Sequence, residues 1–247
     1  MKNFSIILST VAIILAAVAV YSTCKCKATG PEAAAGAVTQ EQLAAVLTQN
    51  PKLVADALQA YEQIQREEAE RARNEALLAH ADDINSEADV PFVGPKDAKV
   101  TVVEFFDFTC GYCKRLSSSI EKVVADNADV KFVFKPLTFV SPISKYQAQA
   151  GMAAHKQGKF MEFYKEVMSF SGLMKEADVD GVATKIGLDM DKYKADLNSD
   201  AVKSSLEKVS SLAQAIQVNG VPTVFVNAKH IQAMSPEPIQ DAINAAK

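Results

Sequence analysis

Cys110 and Cys113 stand between an apolar run and a helical pattern, with only Gly111 and Tyr112 between them. On the first turn of a helix, two cysteines at this spacing lie close enough to bridge. The first faces free N–H groups and the positive end of the helix dipole, which favour a thiolate. The second lies one turn deeper. Thiol–disulfide exchange requires a thiolate, a second thiol to release the mixed disulfide, and an accessible groove. Cys110 is therefore expected to be the exposed nucleophile and Cys113 the resolving thiol. Two other uses of a Cys-x-x-Cys fit less well. Half a zinc site needs a second ligand pair, but Cys24 and Cys26 belong to the leader region and His80, His155 and His230 are scattered. No metal and no cofactor is expected. A structural disulfide closing so small a loop would constrain the unfolded chain little.

The flanking pattern supplies what must position these thiols. Lys99–Phe108 is β-branched, aromatic and almost continuously apolar, as in a strand buried on both faces, and it carries Glu104. Leu116, Ile120, Val123 and Val124 then repeat at helical spacing. Lys131–Leu137 reads as a second strand. A helical stretch of about 141–217 follows, with apolar stripes through Phe160–Met168 and Val202–Ile216. Gly220-Val221-Pro222 breaks the helix before a third strand at Thr223–Val226. Lys229–Ile231 is a candidate fourth strand and Pro236–Ala246 a closing helix. A β-α-β unit, a helical insert and a β-β-α unit make an α/β order.

The rest of the chain sets the context. Its 247 residues suit one domain of ordinary size plus something smaller. Apolar residues make up 49%, which excludes disorder for most of the length. With 26 Lys+Arg against 30 Asp+Glu, the chain lacks the basic excess that a nucleic-acid partner demands. Four cysteines are too few for a disulfide scaffold. Lys2 precedes an apolar run from Phe4 to Tyr21, which reads as an export signal. Residues 1–23 could be cleaved, retained as an anchor, or processed as a lipoprotein leader at Cys24. Each fate places the remainder outside the cytoplasm. Cys24-Lys25-Cys26 otherwise reads as linker.

Residues 24–88 read as a helical stalk. Thr39-x-x-Gln42 fits a capping box, and Asn50-Pro51 starts a second helix. Val54, Leu58, Tyr61 and Ile64 form one apolar stripe, which gives way to alternating charges in Gln65–Glu75, with Glu62–Arg66 and Glu67–Arg71 as candidate ion pairs. Isolated helices of this length are marginal. Residues 39–64 therefore need a partner, either a second copy of the chain or the main domain at 89–247.

Phe105-Phe-Asp-Phe-Thr-Cys-Gly-Tyr-Cys-Lys114 followed by Gly220-Val-Pro-Thr-Val-Phe-Val-Asn227 closely resembles the DsbA-like branch of the thioredoxin superfamily, over about Gly94 to Lys247. The resemblance implies a thioredoxin fold with a helical domain inserted after the second strand, here preceded by an N-terminal α-helical stalk. It implies that Pro222 is a cis-proline facing the Cys-x-x-Cys and that Val221, with Gly111 and Tyr112, meets an extended substrate. It also implies that Glu104 is a buried acid moving a proton to or from Cys113, where a strand-end glutamate would otherwise reach solvent. Lys135 on the next strand is a candidate charge partner for Glu104. Gly-Tyr between the cysteines is similar to the periplasmic isomerase DsbC, whereas Val before the proline is similar to the oxidases. The long N-terminal helical segment looks like the ScsC-type subgroup.

These features imply a periplasmic or envelope thiol-disulfide oxidoreductase that isomerises, and also forms, disulfides in secreted proteins. Its partners would be unfolded or mispaired clients, a membrane redox partner of the Dsb type, and one or two further copies of itself. A monomeric DsbA-type oxidase is one alternative. An envelope-anchored copper- or thiol-binding protein using Cys24 and Cys26 is another.

Overall fold

The structure is a computed structural model describing residues 39–247, so the expected leader, Cys24 and Cys26 lie outside the described residues. The chain divides into two compact units, Met1–Glu62 and Gln63–Lys247.

In the first unit, helix α1 (Gln40–Gln49) opens with the capping box read from the sequence. The Gln42 amide donates to Thr39 Oγ1 (3.2 Å), and the Thr39 amide donates to Gln42 Oε1 (3.0 Å). Asn50 ends it by donating its amide to the Val46 carbonyl, and helix α2 (Pro51–Ala79) starts at the next residue. Leu43, Val46, Leu47, Leu53, Val54, Leu58 and Tyr61 are all exposed. The expected glutamate–arginine pairs are replaced by Gln63 donating to Glu67 (2.7 Å).

The second unit is a five-stranded sheet in the order β1-β3-β2-β4-β5. Its strands are β1 (Phe92–Val93), β2 (Thr101–Phe106), β3 (Lys131–Pro136), β4 (Thr223–Val226) and β5 (Lys229–Ile231). β2 and β3 are parallel, and the other pairings are antiparallel. Helix α4 (Gly111–Asp126) makes the parallel crossover, after the short α3 (Ala81–Asn85). Between β3 and β4 the insert comprises five helices: α5 (Ser144–Lys156), α6 (Phe160–Ser169), α7 (Glu176–Lys185), α8 (Met190–Leu197) and α9 (Asp200–Ala215). Helix α10 (Pro236–Ala246) closes the chain. No helix among the described residues is long and apolar enough to cross a membrane.

Every residue of β2 is buried because both faces of the sheet are covered. Val102, Phe106, Phe132 and Phe134 pack on α4, α10 and the insert. Val103, Phe105, Val133 and Phe225 pack on Val209 and Ala213 of α9, on Ile216 just after it, and on Leu77, Ile84 and Val90. Residues 63–88, assigned to the stalk from the sequence, therefore fall within the compact unit: Leu77 and Ile84 complete its second core. Gly94 starts the turn before β2 with φ of 94°, and a Cβ there would lie 2.1 Å from the Val130 carbonyl oxygen, so only glycine fits. The edge strand β1 was not anticipated. Two residues carry no periodicity from which to read it.

Candidate active site

β2 delivers its C-terminal end to a tight turn built around Asp107. This carboxylate is fully buried. Its Oδ1 accepts from the Thr109 amide (2.8 Å), the Thr109 hydroxyl (2.7 Å) and the Ser144 hydroxyl (2.8 Å), and its Oδ2 accepts from the Val140 amide (3.1 Å). Four donors offset the desolvation of one charge. They also tie together the turn before the cysteines, the segment after β3 and the first residue of α5. The Asp107 carbonyl accepts from the Cys110 amide (3.0 Å), which sets Cys110 as the N-cap of α4.

Both thiols are free. Cys110 was expected to be exposed, yet only 8% of it is accessible. The loop before β4 covers it: Cys110 Sγ donates to the Val221 carbonyl at 3.4 Å. The Val221–Pro222 peptide is cis. Cys110 and Val221, more than a hundred positions apart in the chain, thus meet. Between the cysteines, Gly111 is exposed and Tyr112 is 57% exposed. The Arg115 guanidinium lies 4.1 Å from the Tyr112 ring centroid and holds it by a cation–π contact. Lys114 Nζ donates to the Phe170 carbonyl (2.9 Å), joining α4 to the end of α6, and burial pushes its pKa down.

Cys113 has no accessible surface. Burial, then the charge of Glu104, pushes its thiol well above the ordinary range, while the Asp107 backbone amide acts in the opposite sense. Glu104 is 2% exposed, and burial raises its pKa to about 8. Its Oε2 accepts from the Tyr164 hydroxyl (3.0 Å), and its Oε1 is buried with no partner. A carboxyl held near neutrality can take up or release a proton at ordinary pH.

Lys135 does not pair with Glu104. In the β2–β3 register Glu104 lies opposite Phe134, and Lys135 lies opposite Phe105. Side chains alternate between faces along a strand, so Lys135 points to the other side of the sheet. There its Nζ donates to the Ser86 carbonyl (3.0 Å).

Tyr164, Asp107 and Arg115 escaped sequence reasoning. Tyr164 was read as one more apolar position of the Phe160–Met168 stripe. The available signal was its hydroxyl, which a fully buried tyrosine must satisfy. Asp107 carried a similar signal, an acid inside an aromatic run. Among the described residues, no group of three His, Cys, Asp or Glu side chains is arranged to hold a metal ion.

Known proteins resemble this chain over the same region. A family model described as Thioredoxin matches residues 85–245. The Na(+)/H(+) antiporter NhaA 1 of Salinispora arenicola is 31% identical over 156 residues, 62% of this chain and 24% of that protein. The chain thus spans about a quarter of the length of the curated antiporters it matches. A probable disulfide bond formation protein D of Bacillus anthracis is 31% identical over 148 residues, 55% of this chain and 68% of that protein. Among solved structures, a linker-deletion variant of Proteus mirabilis ScsC superposes with a TM-score of 0.68 at 24% identity, covering 86% of this chain and 98% of that one. A chain matched by the thioredoxin model across its whole sheet and both active-site cysteines belongs to the thioredoxin family.

Proposed function

We propose that this chain is an extracytoplasmic disulfide isomerase with accompanying oxidase activity, working through Cys110 and Cys113. The observation that carries the redox reading is the pair of free thiols at the N-terminus of α4, with the Val221 carbonyl 3.4 Å from Cys110 Sγ. An extended client segment laid along Val221 brings its sulfur to Cys110.

The exchange balances as follows. Cys110 thiolate attacks one sulfur of a client disulfide, an S–S bond forms, and the other client sulfur leaves as a thiolate. In isomerisation that thiolate attacks a different client disulfide, and a client thiolate finally displaces Cys110 with no net redox change. When the client does not rearrange, Cys113 passes its proton to Glu104 and attacks Cys110. The client leaves reduced and the enzyme holds a Cys110–Cys113 disulfide. Oxidation of a client dithiol is the reverse. Tyr112, exposed and braced by Arg115, offers an apolar surface beside the thiol.

Isomerisation gains from two active sites around one client, and the exposed apolar positions of α1 and early α2 support self-association. The apolar run after Lys2 supports export. The test combines solution mass with refolding of a scrambled multi-disulfide protein, using the full chain and a Leu43→Glu, Leu47→Glu, Leu58→Glu variant. These positions are exposed, so the charges leave the catalytic unit's core intact. The expected result is a monomer that still forms disulfides and no longer isomerises them. An unchanged mass and unchanged isomerisation would remove the stalk from the account. Val221 before Pro222 supports the oxidase as second reading, and an oxidase would be monomeric before and after substitution.

A further inference from the structure

We infer that Tyr164, contributed by the helical insert, is a positioning residue for resolution of the mixed disulfide: it engages one oxygen of Glu104 and leaves the other as the acceptor for the Cys113 proton. The inference rests on the reading of Cys113 as resolving thiol and carries it to a residue in a different part of the fold.

Three observations support it. First, Glu104 and Tyr164 are both closed off from solvent, so the carboxyl can exchange protons only with groups that face it inside the core. Second, its two oxygens are not equivalent. Oε2 is occupied by the Tyr164 hydroxyl at 3.0 Å, while Oε1 has no partner. A buried carboxylate oxygen without a donor is costly, and its natural use is to take a proton. Third, the neighbours of Glu104 on adjacent strands are apolar, Phe134 on β3 and Val224 on β4. The titratable groups whose influence reaches this cluster are Cys113, Cys110 and Glu121 on α4 and Tyr164 on α6. Lys135, on the opposite face, is not among them. Tyr164 is thus the only hydrogen-bond donor to the carboxyl among the described residues, and it stabilises the ionised form that must receive the proton.

In the resolving step the Cys113 S–H bond breaks and its proton passes to Glu104 Oε1. Cys113 sulfur bonds to Cys110 sulfur, the bond from Cys110 to the client sulfur breaks, and the client leaves as a thiolate protonated by solvent. The client sulfur is reduced and the two enzyme cysteines are oxidised. Without the Tyr164 hydroxyl the carboxylate is harder to form, and the step requires a higher pH.

Reduced full-length protein mixed with 5,5′-dithiobis(2-nitrobenzoate) separates the steps. The first thionitrobenzoate is released by Cys110 attack at a rate proportional to reagent. The second is released by Cys113 at a rate independent of it. In the wild type the second rate is expected to rise with pH through about 8, the value for Glu104. Tyr164→Phe keeps the ring among Phe106, Phe108, Phe134 and Phe160, which pack against it at 5.3–6.2 Å between centroids, and removes only the hydroxyl. It is expected to move that rise upward by about one pH unit or more, lowering the second rate about tenfold at pH 7, with the first rate unchanged. Phe160→Leu disturbs the same cluster without touching Glu104 and is expected to leave the profile in place. A Tyr164→Phe profile superimposable on the wild type overturns the inference, as does an equal displacement in Phe160→Leu. If the wild type releases only the first equivalent, the reading of Cys113 as resolving thiol fails, and the inference falls with it.

Discussion

Strand β2 carries Glu104 into the core and strand β3 carries Lys135, and these two residues have opposite surroundings. Glu104 faces the α4 side, with one hydrogen bond, an orphan oxygen and a buried thiol under its influence. Lys135, 3% exposed, faces the α9 side. It donates to the Ser86 carbonyl, lies under the influence of Asp83 and Glu87, and lines a cleft of about 600 Å³. Burial dominates both pKa values, raising that of Glu104 to about 8 and lowering that of Lys135 to about 8. Equal burial therefore does not make equal roles. The neighbours differ: the charge of Glu104 reaches the Cys113 thiol, and Lys135 is not among the groups that act on it.

The two groups leave opposite marks on stability. Glu104 ionises in the unfolded chain near its ordinary value of 4.5 and in the folded chain near 8. Between those values the unfolded state has released a proton that the folded state retains, so stability falls as pH rises from 4.5 to 8. The total is on the order of 3–5 kcal/mol. Glu104→Gln is expected to abolish this decline, which denaturant unfolding across pH would reveal. An unchanged slope would mean that Glu104 is not desolvated.

Lys135 acts in the other window. The unfolded lysine keeps its proton up to 10.5, while the folded one releases it near 8, so stability rises between those values by about 2–3 kcal/mol. Lys135→Met is expected to flatten that rise and leave the pH dependence of cysteine resolution where the wild type has it. A displaced resolution profile would erase the distinction between the two faces.

The Lys135 face also rests on packing from residues near the start of the second unit. Ile84 is fully buried against that core, and Ile84→Ala is expected to cost about 2–5 kcal/mol in chemical denaturation. A cost under about 1 kcal/mol would detach residues 77–90 from the catalytic unit. The smallest effect belongs to Lys131, whose Nζ meets Glu87 at 2.9 Å in a partly buried pair. Lys131→Met is expected to cost about 1 kcal/mol at neutral pH, and most of that loss should disappear when Glu87 is protonated in acid.

The two faces also mark where the sequence stops being readable. The succession of β2 to β5, the helical insert, the capped α1 and the cysteine pair are local or periodic signals, and they could be read directly. The approach of Cys110 to Val221 has no local signal, since nothing in the spacing brings residues 110 and 221 together, and only the family motif pointed to it. The Glu104–Lys135 pairing followed the family's frequent basic residue on that strand and was wrong by one residue of register, which decides the face. Tyr164 was hidden because a tyrosine in an apolar stripe looks like a phenylalanine until the acceptor for its hydroxyl is known. The 63–88 segment looked polar enough to be stalk, because only Leu77, Ile84 and a few neighbours turn inward.

The central claim is that Glu104, and not Lys135, governs the proton of the resolving thiol. The most direct measurement is the pH profile of Cys113 resolution in Glu104→Gln beside Lys135→Met. The expected result is loss of the rise near pH 8 in Glu104→Gln and a wild-type profile in Lys135→Met. A wild-type profile in Glu104→Gln would contradict the account.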